Sequence, residues 1–234
     1  MKNKEKYKIS LVIPVLNKEP GLESVLKNIP QELISEVIIV HQKSKYKKNN
    51  INAKDDTTEL AKKYKAKVIN DNGIGYGKAY KVGFNYTNGN IITTLDGDGT
   101  YDPKDIEKML KCLKENNADF ISGNRLRNLK KESMPKKYIY GNYLISLIFN
   151  ILFFTSIYDS QSGMWLFKKE LLKKIELKEN QMGFSSEIKW KIYKKFKFRE
   201  IPISYKPRQG EKSLNLIEHG LQVLKSFLKM RFFD

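Results

Sequence analysis

At 234 residues the chain is long enough for one domain with a substantial core. Its single cysteine, Cys112, excludes a disulfide framework and a cysteine-based metal site, and no apolar leader follows the lysine-rich start, so we expect a reducing, cytoplasmic setting. The net charge of +18, from 44 Lys and Arg against 26 Asp and Glu, leaves three interpretations open: a nucleic-acid partner, an anionic membrane surface, or a lysine-rich surface that is simply solvated.

The first half of the chain alternates short apolar runs with helical patterns, which predict five buried strands and four helices. The predicted strands are 9–16, 36–41, 66–70, 90–96 and 118–123, and the predicted helices are 21–27, 56–64, 77–86 and 103–115. Strand and helix in this repetition predict an α/β fold with a mostly parallel central sheet flanked by helices. Such sheets bind their ligands at the carboxyl ends of the strands.

The second half carries two apolar stretches. The stretch 143–158 is shorter than the ~20 residues that a membrane-spanning helix needs, so it predicts either a core helix or a helix in the membrane interface, flanked by Lys136 and Lys137. The tail, 216–234, predicts a basic amphipathic helix that either packs on the domain or lies on a membrane surface. We therefore expect a domain over 1–215 followed by this helix.

The segment LDGDGTYDP places Asp96 and Asp98 at the end of the fourth predicted strand, with Gly97 between them to let a ligand approach the backbone. Mg²⁺ and Mn²⁺ bind through one or two carboxylates together with phosphate oxygens of a substrate. A cation here would neutralise a leaving diphosphate. Because aspartates and glycines also crowd ordinary turns, a plain turn is the alternative.

A second candidate segment holds Gly73, Gly75 and Gly77 directly before a predicted helix. The backbone N–H groups at a helix N-terminus can face an anion, and Lys78 adds a positive charge. The spacing matches neither a Rossmann fingerprint nor a P-loop, so phosphate contact and an ordinary turn are equal alternatives.

Several segments, taken in order, resemble glycosyltransferase family 2, and within it the polyprenyl-phosphate glycosyltransferases similar to dolichyl-phosphate mannose synthase. The resemblance covers the chain from Ser10 to about Leu214 and implies a GT-A fold over 1–215. The segments that carry it are SLVIPVLNKE, GIGYGKAYKVGF, LDGDGTYDP, SGNRL, the pairs MP and GN within 134–142, DSQSGMWLF, GFSSE and REIPISYKPRQGEKSLN.

The resemblance implies transfer of a hexose, with inversion, from a GDP- or UDP-sugar to a polyprenyl or dolichyl phosphate. It also implies Mg²⁺ or Mn²⁺ on the donor diphosphate, held by Asp96, Asp98 and Thr100. A phosphate acceptor is already ionised, so in-line displacement needs no strong general base. The implied residues are, for the nucleotide sugar, Pro14, Asn17, Glu19, Gly75, Lys78, Asp96, Gly97, Asp98, Arg208 and Lys212; for the acceptor, Arg125, Lys137 and Glu187; and for catalysis, Asp98, Arg125, Asp159 and Arg208.

The chain departs from the family pattern at four places. His41, Gln42 and Lys43 stand where the family has two aspartates, and Lys18 stands where it prefers an acid. Trp165 stands where the family has an arginine, and Lys212 precedes Ser213 where the family has the serine before the lysine. These departures keep two alternatives open. One is a family 2 enzyme acting on a polysaccharide, lipid or protein hydroxyl, with Asp159 as general base. The other is a sugar-nucleotide-binding homologue with weakened catalysis.

The expected partners are a nucleotide-sugar donor, a polyprenyl-phosphate acceptor and an anionic membrane surface. We expect the protein to be peripheral at the cytoplasmic face of the membrane, and a separate membrane subunit is left open. No helix-turn-helix, zinc-finger or RNA-binding pattern accompanies the positive charge, so we expect no nucleic-acid partner.

Overall fold

A computed structural model describes residues 7–16, 20–42, 57–73, 75–209 and 216–233. The strands are β1 (Ile9–Leu16), β2 (Ile34–Gln42), β3 (Lys67–Asp71), β4 (Ile91–Thr94), β5 (Phe120–Asn124), β6 (Trp165–Lys168) and β7 (Phe198–Pro202). The helices are α1 (Leu22–Lys27), α2 (Thr57–Lys63), α3 (Tyr76–Asn85), α4 (Asp105–Glu115), α5 (Lys136–Phe153), α6 (Phe184–Tyr193) and α7 (Leu216–Phe233), with a short 3-10 helix at Lys169–Lys173.

The strands form one sheet in the order β3-β2-β1-β4-β6-β5-β7. Strands β1 to β4 pair in parallel, and β7 is parallel to β5. Only β6, among the described strands, runs antiparallel to its neighbours β4 and β5. The prediction of an α/β fold with a mostly parallel central sheet is therefore confirmed.

The five strands and four helices predicted in the first half are all present, with ends within two residues of the predicted ones. Strand β4 ends at Thr94 rather than Asp96, because residues 95–98 leave the sheet and carry both aspartates to its edge. Helix α4 begins at Asp105 rather than Pro103, which lies in the turn before it. Strand β6 escapes sequence reasoning because four residues are too few for an alternating pattern to stand out.

Alternation along the central strands sends side chains into two apolar layers, one on each face of the sheet. In β1, Leu11 and Ile13 enter the layer formed with α1, α2 and α4, whereas Val12 enters the layer formed with α3, α5, α6 and α7. Strand β2 divides in the same way, with Ile39 on the first face and Ile38 on the second. Both faces of the sheet are thus covered by helices, as parallel strands require.

Helices α5 and α7 pack against each other on the second face. The ring of Phe227 from α7 lies 5.0 Å from that of Phe149 in α5, and both side chains are fully buried. Val223 and Met230 of α7 enter the same layer. The helix predicted for the tail is therefore present, and its buried side chains pack into the same hydrophobic core as those of α3, α5 and α6. No helix among the described residues combines the length and the apolar character that crossing a bilayer requires.

The opposite sides of these two helices leave large apolar side chains in water. We call this surface the outer face; its residues are Tyr140, Leu144, Leu147, Ile151, Phe154, Leu221, Leu228, Phe232 and Phe233. The guanidinium of Arg231 lies 5.8 Å from the ring centre of Phe154, so the stripe on α5 and the stripe on α7 adjoin. Large exposed apolar surfaces are typical of interaction sites.

The buried contact between α5 and α7 can be tested by unfolding in urea. Phe227→Ala should lower the free energy of unfolding by about 3–5 kcal/mol, because it leaves a cavity among Phe149, Phe153 and Val223. The matched control is Phe232→Ala on the same helix, whose side chain is exposed, and it should change that free energy by less than ~0.5 kcal/mol. Equal effects of the two substitutions would contradict this packing.

Candidate active site

A cavity of about 390 Å³ opens beside the carboxyl ends of β4 and β5 and reaches the start of α5 and the first turns of α7. Its charged lining residues are Asp96, Asp98, Arg125, Glu132 and Arg208. Much of the remaining lining is apolar, including Met134, Pro135, Ile145, Met182 and Pro207. The cavity therefore offers both a charged and an apolar surface to one bound molecule or to two neighbouring ones.

Asp96 lies just beyond β4 and is held by two tyrosines of α3. Its Oδ1 atom accepts hydrogen bonds from the hydroxyls of Tyr80 at 3.1 Å and Tyr76 at 3.3 Å. Burial and the nearby charge of Asp98 raise the pKa of Asp96 to about 7. The two carboxylates thus repel each other, and a cation between them would relieve this repulsion.

Asp98 is buried, and its two carboxylate oxygens have different partners. Oδ1 accepts hydrogen bonds from the Thr100 backbone N–H at 3.0 Å and from the Thr100 hydroxyl at 2.7 Å. Oδ2 lies 3.2 Å from Nε of Arg208, with which it forms an ion pair. Thr100 therefore orients Asp98 directly, and Arg208 lies within reach of any anion that approaches this carboxylate.

The backbone around Asp98 depends on two glycines. Gly99 has φ +77°, a left-handed conformation that side chains disfavour. A Cβ on Gly21, in the turn before α1, would lie 2.2 Å from the backbone carbonyl carbon of Asp98. The Asp98 loop therefore packs directly on the backbone of that turn.

The donor set fits a hard divalent cation. Asp96 and Asp98 supply oxygen ligands at the cavity wall, whereas no group of three or more His, Cys, Asp or Glu suited to a metal occurs among the described residues. A cation here would take its remaining ligands from water and phosphate oxygens, which is how Mg²⁺ usually binds. This arrangement suits a site that binds metal and phosphate together.

Arg125 follows β5 and forms a two-pronged ion pair with Asp159. Its Nε donates to Oδ2 and its Nη2 to Oδ1, both at 2.8 Å, while its backbone N–H donates to Oδ2 at 3.0 Å. Nη2 also donates to Oδ1 of Asn142 at 3.2 Å, and the guanidinium lies 5.5 Å from the ring centre of Tyr205. The guanidinium is thereby fixed at the cavity wall.

Asp159 itself is fully buried beneath Arg125. Burial alone would raise the pKa of Asp159, but the charge and hydrogen bonds of Arg125 outweigh it and hold that pKa below its ordinary value. Both oxygens of the Asp159 carboxylate are thus engaged by one arginine. In the described part of the chain, the cavity lining includes Arg125 but not Asp159.

The other predicted site residues lie in several places. Asn17, Glu19 and Lys212 fall outside the described residues. Pro14 is partly buried in β1, and Lys137 is exposed in the first turn of α5, 5.6 Å from the ring centre of Tyr138. Neither is part of the cavity lining that the described residues form.

Glu187 is fully buried at the start of α6, where it stabilises the preceding loop. Its carboxylate accepts hydrogen bonds from the backbone N–H groups of Lys178 at 2.8 Å and Glu179 at 3.0 Å and forms an ion pair with Lys191 at 3.1 Å. Among the described residues it too lies outside the cavity lining, and its acceptor contact stays a prediction.

The glycine-rich segment supplies the tyrosines that bind Asp96. The backbone N–H of Gly75 donates to Oε1 of Gln42 at 3.2 Å, and Lys78 lies 3.8 Å from Asp71 as an ion pair. Tyr76 and Tyr80 follow at helical spacing on α3. Sequence reasoning missed these two residues, although the i, i+4 spacing of their rings within and just after the glycine-rich segment was the available signal.

Trp165 and Gln42, two of the residues that depart from the pattern of the family that the sequence resembles, have structural contacts that explain them. Trp165 is fully buried in β6, where its ring lies 5.1 Å from that of Tyr80 and its indole N–H donates to the Ser162 carbonyl at 2.8 Å. Gln42, at the end of β2, donates to Asp71 at 2.8 Å and accepts from Gly75. Both side chains therefore support elements that surround the cavity.

The model of Glycosyl transferase family 2 matches residues 10–176. The low-salt glycan biosynthesis hexosyltransferase Agl6 of Haloferax volcanii is 28% identical over 228 residues, which cover 94% of this chain but 53% of that protein. The chain thus spans about half the length of this relative.

Two further relatives match over almost their full length. The dolichyl-phosphate hexose transferase of Haloferax volcanii is 28% identical, with 95% of this chain and 93% of that protein covered. An uncharacterized protein of Methanocaldococcus jannaschii is 30% identical, with 97% and 94% covered.

Among solved structures, glucosyl-3-phosphoglycerate synthase from Mycobacterium tuberculosis, crystallised with Mn²⁺, uridine diphosphate and glucosyl-3-phosphoglycerate, matches with a TM-score of 0.75. The match covers 96% of this chain and 80% of that one at 18% sequence identity. At this identity the likeness shows a shared fold.

The Arg125–Asp159 pair gives a prediction for stability. Asp159→Asn leaves the buried guanidinium without its counter-charge, so the free energy of unfolding at pH 7 should fall by about 3 kcal/mol. Because the folded-state pKa of Asp159 is lowered, its contribution is present above the ordinary carboxyl pKa and is lost as pH falls through the folded-state value. The difference between the two proteins should therefore shrink only in strong acid.

Urea unfolding followed by circular dichroism at several pH values measures this difference. Glu23→Gln is the control, because Glu23 forms an exposed pair with Lys63 and its loss should leave the unfolding free energy unchanged. If Asp159→Asn were as stable as the control at pH 7, the Arg125–Asp159 pair would not stabilise the fold as predicted.

Proposed function

Because the chain belongs to glycosyl transferase family 2, we propose that it moves a hexose from a GDP- or UDP-sugar to a polyprenyl or dolichyl phosphate, with inversion and with Mg²⁺ or Mn²⁺. Its sheet and flanking helices are those of the GT-A fold. The observation that carries the proposal is the cavity, which combines the strand-end carboxylates of Asp96 and Asp98 and two arginines with an apolar lining. The sugar diphosphate and the acceptor phosphate would bind the charged part of the cavity, and the lipid chain would bind the apolar part. The Haloferax volcanii dolichyl-phosphate hexose transferase supports the same acceptor class.

The carboxylate pair would form the donor half of the site. Asp96 and Asp98 would hold a divalent cation, which supplies charge neutralisation for the leaving diphosphate. Arg208 can pair with the same diphosphate, since its guanidinium already lies 3.2 Å from Asp98. The Mn²⁺ and uridine diphosphate bound to the Mycobacterium tuberculosis enzyme of the same fold support this use of the carboxylates.

The remaining donor contacts stay predictions. They concern the nucleotide and the far side of the diphosphate, and they are Pro14, Asn17, Glu19, Gly75, Lys78, Gly97 and Lys212. The metal contact of Thr100 is also a prediction, and its hydrogen bonds to Asp98 favour an orienting role.

Arg125 would bind the acceptor phosphate. Its Nε and Nη2 are engaged by Asp159 and Asn142, whereas its Nη1 makes no hydrogen bond to any of the described residues. Nη1 therefore offers donors to an anion in the cavity, and a guanidinium held in place binds phosphate with little loss of freedom. Lys137, exposed at the start of α5, would add charge at the entrance.

The state of Asp159 favours a phosphate acceptor over a hydroxyl. A hydroxyl acceptor needs a general base within reach of its proton and with a pKa near the working pH. Asp159 is fully buried, bound to Arg125 through both oxygens, and has a lowered pKa, so it is poorly suited to that task. A phosphate acceptor attacks as an anion, and positioning with charge neutralisation then supplies the acceleration.

The outer face would lie on an anionic membrane surface. Its nine exposed apolar side chains are accompanied by exposed cations at Lys136, Lys137, Lys225, Lys229 and Arg231, a combination typical of helices in a membrane interface. The start of α5 and the first turns of α7 also line the cavity, so a lipid phosphate could enter from this side. A place at the cytoplasmic face and a separate membrane subunit stay predictions.

Transfer to a lipid phosphate is tested by incubating the full chain with radiolabelled GDP- and UDP-hexoses, Mn²⁺ and a short polyprenyl phosphate. We expect lipid-linked product from at least one donor, and none when the polyprenyl phosphate is replaced by the corresponding polyprenol. Product with the polyprenol would favour the hydroxyl-acceptor alternative. Nucleotide binding without any product would favour the homologue with weakened catalysis.

Asp98→Ala tests the metal assignment without an activity assay. Isothermal titration should lose the Mn²⁺-dependent part of nucleoside-diphosphate binding, because one of the two carboxylate ligands is gone. Asp119→Asn is a matched control, since this carboxylate pairs with Lys168 away from the cavity and should leave binding unchanged. Unchanged Mn²⁺-dependent binding by Asp98→Ala would refute the assignment.

Vesicle flotation tests the membrane proposal. The chain should float with vesicles rich in anionic lipid and much less with zwitterionic ones, and Leu147→Asp combined with Ile151→Asp should reduce binding at least tenfold by removing two apolar side chains from the interface. Tyr86→Asp, at an exposed aromatic residue outside the outer face, is the control. Equal binding by the double variant and the control would contradict the proposed orientation.

A further inference from the structure

Helix α6 carries a lysine that the proposed reaction does not use, although its side chain is completely buried. Lys189 is 0% exposed, and its Nζ donates a 2.6 Å hydrogen bond to the backbone carbonyl of Asp159. Burial lowers the pKa of Lys189 to about 8, against the opposing charges of Asp159 and Glu200. Burying an ammonium group is costly, so its hydrogen bond and its neighbouring charges are what keep it in place.

Glu200 in β7 binds the same stretch of backbone from the other direction. Its Oε1 accepts a hydrogen bond from the Asp159 N–H at 3.1 Å, and its Oε2 accepts one from the Tyr158 N–H at 2.7 Å. The Asp159 N–H is therefore bound by a carboxylate and its carbonyl by an ammonium group. We call these contacts the Asp159 clamp.

The clamp acts at a place where secondary structure gives no support. Asp159 lies in the connection between α5 and β6, outside any helix or strand, so its own backbone is not fixed by a hydrogen-bonding ladder. Its side chain nevertheless makes three hydrogen bonds to Arg125. A shift of this loop would move Arg125, and small misplacements of a binding group reduce activity strongly.

The charges along this path alternate in sign. Arg125, Asp159, Lys189 and Glu200 form a row of cation, anion, cation and anion that starts at the cavity and ends in β7. Burial raises the pKa of Glu200, and the charge of Lys189 opposes that rise. Loss of one inner charge leaves the others uncompensated.

We propose that Lys189 and Glu200 are positioning residues that hold Asp159, and through it Arg125, in the orientation that binds the acceptor phosphate. The proposal rests on the function proposed above, because it assumes that Arg125 meets that phosphate. It assigns to α6 and β7 a role in acceptor binding although neither residue lines the cavity formed by the described residues.

The first test separates acceptor from donor kinetics in the full chain. In Lys189→Met and in the near-isosteric Glu200→Gln, the KM for polyprenyl phosphate should rise about tenfold, as expected for loss of one charge-assisted hydrogen bond, while the KM for the nucleotide sugar stays within twofold. Lys189→Arg should recover part of the loss. Lys195→Met, at an exposed lysine just after α6, is the control and should match the parent protein.

The second test reads the orientation of Arg125 without turnover. In ¹⁵N-arginine-labelled protein, the Nε–H resonance of Arg125 is identified by its absence in Arg125→Lys. In Lys189→Met or Glu200→Gln that resonance should shift and exchange faster with water, whereas Lys195→Met should leave it unchanged. This measurement remains valid if one of the two variants fails to fold, because the other carries the same expectation.

The outcomes separate the two proposals. An unchanged resonance together with an unchanged acceptor KM in a folded variant would overturn the Asp159 clamp, as would equal rises in donor and acceptor KM. Parent protein that gives no product with polyprenyl phosphate would refute the proposed function. A shifted Arg125 resonance in Lys189→Met or Glu200→Gln would still support the positioning of Arg125 by Lys189 and Glu200.

Discussion

The pairing of Arg125 with Asp159 is the interaction on which the cavity depends. A guanidinium at the edge of a sheet would lose much of its hydration to the surrounding protein, and it is stable there because a fully buried carboxylate takes up two of its nitrogens. This contact joins the end of β5 to the connection between α5 and β6. The antiparallel β6 that follows then lies between β4 and β5 and brings the carboxylate loop after β4 close to the arginine after β5. The mixed sheet is therefore part of how the site is built.

The cavity combines charged and apolar lining residues. Asp96 and Asp98 repel each other, Arg208 and Arg125 bring positive charge, and the adjoining wall includes the apolar side chains of Met134, Pro135 and Ile145. Electrostatic attraction is stronger where water is excluded, so an anionic ligand with an apolar tail gains from both parts at once. The outer face adds exposed apolar side chains on α5 and α7 to the apolar part of the cavity lining.

Sequence reasoning predicted the sheet well and the site only in part. The β1 prediction coincides with Ile9–Leu16 because a continuous apolar run in a buried parallel strand is a strong signal. The position of Asp96 and Asp98 at the edge of the sheet was predicted because they directly follow the buried apolar run of β4. The contacts of Glu187, and the support that Asp159 receives from Lys189 and Glu200, depend on residues that are distant in sequence. No local pattern predicts which buried charges will meet, because that is decided by the packing of α6 and β7 on the sheet.

The close packing of Gly21 on the backbone of Asp98 limits how this site can be redesigned. Position 21 has no room for a side chain, since any Cβ there would collide with the carbonyl carbon and oxygen of Asp98. Gln161, Met182 and His219 line the same cavity without any contact to its carboxylates among the described hydrogen bonds and ion pairs. A library intended to change substrate preference should therefore keep the turn before α1 fixed and diversify these three positions.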